Sequence, residues 1–99
     1  MKAKVIYLSN AKREFLEAVE YYETQSKGLG RRFEQDLKEK LLLIAAFPER
    51  YPKRKGNIRI TVLKVFPFLI IYRYRRKENI VTITSVFQAN RNPKNKYRR

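Results

Sequence analysis

A helical period runs through residues 9–47 and gives way after Pro48 to a two-residue period that lasts to Phe87. This switch restricts the folds open to the chain more than any other feature. Ala11, Phe15, Ala18, Val19 and Tyr22 recur at i, i+4, i+7, i+8 and i+11, which puts them on one face of an α-helix. Ser9 or Asn10 offers the N-cap, and Lys27-Gly28 closes the helix, with Gly28 suited to the left-handed C′ position. A second helix begins near Leu29 with the stripe Leu29, Phe33, Leu37, Leu41 and Ile44. Glu34/Lys38 and Asp36/Lys40 support it as i,i+4 pairs, and Phe47-Pro48 stops it. Two helices joined by a Gly-containing turn are expected to fold back as an antiparallel hairpin.

Four short stretches read as strands: residues 2–8, 58–63, 68–75 and 80–87. Ile58/Ile60/Val62 and Phe68/Ile70/Tyr72/Tyr74 alternate cleanly, and Lys77-Glu78-Asn79 is the expected hairpin turn between the last two strands. The order is β-α-α-β-β-β. An apolar sheet face and an apolar helical hairpin must cover each other, so the expected fold is α+β, with the hairpin packed on an antiparallel sheet. Neither a repeat nor a long linker divides the chain, so residues 1–99 form one domain. The polar, basic tail 88–99 is expected to be partly disordered. Phe15, Tyr22, Phe33, Phe66, Phe68, Tyr72 and Phe87 fall at helix or strand spacing and are expected in the core.

Charge is divided unevenly. Residues 1–49 carry 9 Lys/Arg against 8 Asp/Glu, whereas residues 50–99 carry 15 against the single acid Glu78. So concentrated a positive surface repels itself and suits a polyanionic or acidic partner. The chain has no His and no Cys, which removes zinc sites, Ser-His-Asp triads and thiol nucleophiles. Its nine acids are spread mostly over helix faces, and its three glycines form no phosphate loop, so no metal and no cofactor are expected. No apolar run reaches the ~18 residues of a membrane span, and the expected location is the cytoplasm.

The chemistry left is metal-free or absent. In RNA cleavage the ribose 2′-OH supplies the nucleophile, arginines stabilise the charge gathering on the phosphate, and a Lys or Tyr moves protons. Arg59, Arg73 and Arg75 on the strands, Lys53-Arg54-Lys55 in the preceding loop and Arg91 in the tail are the candidate target-binding residues. Arg59, Arg91 and Tyr97 are the candidates for catalysis, and Tyr51 and Tyr97 for base stacking. The same residues also read as solvated strand faces on a basic binding module that performs no chemistry.

Several stretches in this order resemble the RelE/ParE superfamily of bacterial type II toxin–antitoxin toxins. They are Glu20-Tyr21-Tyr22, Leu29-Gly30-Arg31-Arg32-Phe33, Pro48, Arg59, residues 66–72 (FPFLIIY) and residues 86–93 (VFQANRNP). The resemblance spans essentially the whole chain and implies a small toxin neutralised by a cognate antitoxin with an acidic, partly disordered segment. It implies one of two targets. ParE-like members poison DNA gyrase. RelE-like members cleave mRNA in the ribosomal A site with basic residues and often a carboxy-terminal aromatic. Leu69 and Ala89 stand where the ribonuclease branch often has arginines, and Gln88 where many relatives have His, whereas Arg59 and Arg91 fall near basic positions of that branch. The reading favours a gyrase poison, with the mRNA endoribonuclease as the first alternative and a non-toxic RNA- or ribosome-binding module as the second.

Overall fold

A computed structural model describes residues 2–89. Strand β1 (Lys4–Tyr7) leads into helices α1 (Ser9–Gln25) and α2 (Leu29–Ala46), followed by β2 (Ile58–Val62), β3 (Phe68–Arg75) and β4 (Ile80–Gln88). The element order is the one legible in the sequence. The sheet order is β1-β4-β3-β2. Strands β2, β3 and β4 form an antiparallel meander, and β1 adds to β4 in parallel, so the sheet is mixed rather than purely antiparallel. Parallel pairing follows from the connection: the helical hairpin carries the chain across one face before the meander returns to the first strand.

Phe33 sits at the centre of the core. Its ring is fully buried, with ring centroids 4.8 Å from Phe68, 5.4 Å from Tyr22, 5.4 Å from Phe66 and 6.3 Å from Phe15. Leu37, Ile44, Ile70, Tyr72, Val81, Ile83 and Val86 complete the buried layer. Both helices therefore cover the same sheet face, the one that carries Phe68, Ile70 and Tyr72.

The helix ends differ from the sequence reading. Neither Ser9 nor Asn10 caps α1: Leu8 occupies the N-cap without a side-chain bond, and the Asn10 amide donates instead to the Thr84 carbonyl (2.9 Å). Asn10 is thereby committed to holding α1 on β4. Gly28 does take a left-handed conformation (φ 86°), but it stands immediately before α2 rather than directly after α1. The Glu23 carboxylate accepts from the Gly28 and Gly30 amides (2.9 and 3.0 Å), and these bonds lower its pKa. It thus satisfies amides that the start of α2 would otherwise leave open.

Gly30 is required for another reason. A Cβ there would lie 2.6 Å from the Val19 carbonyl oxygen, where α1 and α2 cross. Because that neighbour is backbone, the helices would have to separate. Gly30→Ala is expected to destabilise the protein by about 1–3 kcal/mol, although alanine is the better helix former by about 1 kcal/mol. Urea unfolding of the variant measures the balance.

Asp36 is buried, and one of its carboxylate oxygens accepts from the amides of Val65 and Phe66, both at 2.9 Å. It ties α2 to the turn between β2 and β3 and sets Phe66 against the core. Glu14 does the same for β4, accepting from the Ser85 hydroxyl (3.1 Å) and the Val86 amide (2.9 Å). No helix among the described residues is long and apolar enough to cross a membrane.

Candidate target-binding surface

The helices leave the other sheet face open. Strand register places Ile58, Arg73, Thr82 and Ile6 in one row across β2, β3, β4 and β1. Arg75, Ile80 and Lys4 form the next row, towards the β3–β4 turn. Ile60 beside Ile71 and Val62 beside Leu69 continue the face in the other direction. The result is a largely aliphatic sheet surface with cations gathered at one end, where Lys4, Arg73 and Arg75 are all exposed. Val62 and Ile6 are 53% and 40% exposed, so apolar surface is open to solvent alongside the charge.

Loop 48–57 adds to the cationic end. Lys53 forms an isolated antiparallel bridge with Arg59, and the Arg54 amide donates to the Ile58 carbonyl (2.6 Å). The chain then reverses through Gly56 (φ 75°) and Asn57 (φ 63°), two consecutive left-handed residues. This turn holds the loop against the β2 edge and leaves Lys53, Arg54 and Lys55 exposed. The structure thus brings Arg73 and Arg75 onto the open face and places Lys53, Arg54 and Lys55, all exposed, along the neighbouring β2 edge.

Arg59 does not belong to that group. It pairs in register with Tyr72 on the helix-covered side and is 6% exposed. Its guanidinium donates to the carbonyls of Tyr51 and Glu49 and lies 4.0 Å from the Glu49 carboxylate. Thr61 is buried on the same side, so the apolar residues of β2 (Ile58, Ile60, Val62) face outward, opposite to their expected orientation. The reason is local. β2 is an edge strand, and its inner side lies against loop 48–57, where Arg59 donates to the Glu49 and Tyr51 carbonyls. A residue expected to touch phosphate therefore braces the loop that carries the Lys53–Lys55 cations.

Tyr72 strengthens the same brace by donating its hydroxyl to the Pro48 carbonyl (2.8 Å). Burial pushes its pKa up to about 12, against a smaller downward pull from Arg59, which keeps it a neutral donor. Tyr51, a stacking candidate, lies partly buried against the core, with Lys40 over its ring at 5.6 Å. Arg91 and Tyr97 lie outside the described residues, and β4 reaches its last residue, Gln88, at the end of the sheet away from Arg73 and Arg75.

Sequence reasoning missed Lys4 and Ile6, because only the parallel β1–β4 pairing carries them onto this face. It also missed Glu49, whose carboxylate lies 4.0 Å from both Arg59 and Arg76. The one acid flanking a basic loop was a signal for an internal ion pair.

The fold is similar to that of known toxins. A chain of the chromosomal ParDE system from P. aeruginosa matches with a TM-score of 0.73 at 14% identity, over 90% of this chain and 98% of that one. A chain of the intact E. coli RelBE toxin–antitoxin complex matches at 0.68 and 20% identity, over 90% and 99%. A chain of a RelBE toxin–antitoxin complex from Mycobacterium tuberculosis matches at 0.63 and 14%, over 89% and 99%. At these identities the likeness establishes the fold alone. No curated protein sequence matches significantly. The family model described as the ParE toxin of the type II toxin–antitoxin system parDE matches residues 5–93, nearly the entire chain, and on that match the chain belongs to the ParE toxin family.

Proposed function

We propose that this protein is the toxin of a type II toxin–antitoxin module, that it arrests growth by poisoning DNA gyrase, and that it engages its target through the open sheet face. The observation that carries this reading is the character of that face: Arg73, Arg75, Lys4 and the Lys53–Lys55 loop border exposed aliphatic surface. Cations beside apolar side chains suit a protein surface, or a protein with DNA bound, where charge steers encounter and apolar contact holds it. The ribonuclease reading needs arginines free to reach a phosphate, and Arg59 is occupied by loop carbonyls. The match to the ParE family model also favours the gyrase branch.

A cognate antitoxin completes the proposal. Its neutralising segment would be acidic, with apolar residues interspersed, and would cover at least part of the same face. Support comes from the solved relatives of similar fold, which include toxin–antitoxin complexes.

Two experiments test the reading. Purified toxin added to gyrase and plasmid should block supercoiling and accumulate gyrase-linked DNA breaks, while mRNA in a translation mixture stays intact. Unimpaired supercoiling with cleaved mRNA would move the protein to the ribonuclease branch. The double variant Arg73→Glu/Arg75→Glu should abolish growth arrest at equal expression, because like charges across an interface cost several kcal/mol, about a hundredfold or more in affinity. Both side chains are exposed, so the melting temperature should barely move. Undiminished arrest by this variant would remove the open face as the target surface.

A further inference from the structure

We propose that the cationic end of the open sheet face binds duplex DNA by its phosphates, so that one toxin holds both gyrase and the DNA that gyrase carries. The inference rests on the gyrase reading above and adds a second ligand to the same face. The observation is a band of cations that no acid of the protein balances. Lys4, Arg73 and Arg75 stand on the face itself, and Lys53, Arg54 and Lys55 line the neighbouring β2 edge, all of them exposed. No strand contains an acid, and none of these cations forms an ion pair among the described residues. Glu49, at the start of loop 48–57, lies 4.0 Å from Arg59 and Arg76 instead.

Charge density selects the ligand. Neighbouring strands lie about 4.8 Å apart, so the band from β1 to the β2 edge is roughly 15 Å wide. An extended acidic peptide turns a side chain towards a surface only every ~6.6 Å, which brings about two or three carboxylates to that width. In duplex DNA the single strand nearer the protein carries a phosphate per ~3.4 Å of axis, about four or five over the same width. Phosphates therefore match the band where an acidic peptide leaves cations unpaired. Lysine and arginine ends reaching from a sheet surface meet the backbone rather than base edges, so binding should not depend on base sequence.

The aliphatic end of the face stays free for protein. In the β2–β3 register the Val62–Leu69 pair lies four residues from the Ile58–Arg73 pair, roughly 13 Å along the strands. A protein surface on Val62 and Leu69 and a duplex over Arg73 and Arg75 can thus be held at the same time. Such a bridge keeps gyrase on its DNA.

Fluorescence anisotropy of the purified toxin on a short labelled duplex, without gyrase, tests the proposal. About four to six phosphate contacts give a slope of about −4 to −5 in log affinity against log salt, roughly a hundred- to a thousandfold loss between about 50 and 200 mM. A chain with a net charge of +15 attracts DNA from every side, so position is the test. Arg73→Ala/Arg75→Ala should make the slope shallower by about two. Lys12→Ala/Lys27→Ala, an equal loss of charge at exposed positions in α1 and just after it, should leave the slope unchanged. Equal losses from the two pairs would overturn the proposal. Tighter binding of a single-stranded RNA of equal charge would overturn it in favour of RNA. Displacement of the duplex by oligoglutamate of equal charge would overturn it in favour of an acidic protein. Blocked supercoiling without position-dependent DNA binding would sink this inference and leave the gyrase reading standing. Position-dependent DNA binding with unimpaired supercoiling would support the DNA contact and sink the gyrase reading instead.

Discussion

Phe33→Ala is expected to lower the free energy of unfolding by about 3–5 kcal/mol, the largest effect of any single truncation considered. The ring is fully buried and has four aromatic neighbours with centroids between 4.8 and 6.3 Å, contributed by α1, β3 and the turn before β3. Removing it opens a cavity that no single neighbour can fill, because Tyr22, Phe66 and Phe68 also pack on one another or on adjacent elements. Domains of this size hold only about 5–15 kcal/mol in total, so the variant should lose a large share of its stability and melt well below the parent. Phe33→Leu, which retains most of the volume, should cost far less, about 1–2 kcal/mol. Thermal and urea unfolding of the two variants separate packing from mere hydrophobicity. Equal losses in both would show that the aromatic cluster is not what the site requires.

The second large effect is expected at Arg59. Truncation to alanine leaves the carbonyls of Glu49 and Tyr51 without their buried donor. Hydrogen bonds to a charged group are worth about 1.5–3 kcal/mol each when a partner is removed. The accompanying ion pair adds little, since Glu49 is about half exposed and the separation is 4.0 Å. A total loss of about 2–4 kcal/mol follows, or roughly 10–25 °C in melting temperature for a domain of this size. Arg59→Lys keeps the charge but loses the forked geometry and should recover only part of the loss. Toxicity of Arg59→Ala should fall with folded protein and return when the experiment is run at low temperature. A variant that melts normally yet has lost all toxicity would instead place Arg59 in the target contact.

Arg59 also shows where sequence reading stops. The two helices, the three meander strands and nearly all core aromatics follow from apolar spacing, because burial imposes the period directly. Spacing cannot say which side of β2 faces inward. Ile58, Ile60 and Val62 made the outer side look like the core side, whereas Arg59 and Thr61 face inward and Arg59 bonds to the carbonyls of loop 48–57. Asp36 and Glu14 are similar. On helix faces they read as ordinary solvated acids, yet each accepts strand or turn amides more than 25 residues away in sequence. Long-range polar partners leave no periodic trace. The parallel docking of β1 on β4, which brings Lys4 and Ile6 to the open sheet face, is equally invisible until the crossover is built. By contrast the exposed placement of the Lys53–Lys55 loop, Arg73 and Arg75 was legible, because unpaired cations are costly to bury.

The claim that decides the account is that growth arrest runs through gyrase. Pulse-labelling of DNA and protein synthesis in the minutes after the toxin is induced without its antitoxin tests this most directly. DNA synthesis should fail first while protein synthesis continues. An early collapse of protein synthesis, with DNA synthesis failing only later, would contradict the account and assign the open face to messenger RNA on the ribosome.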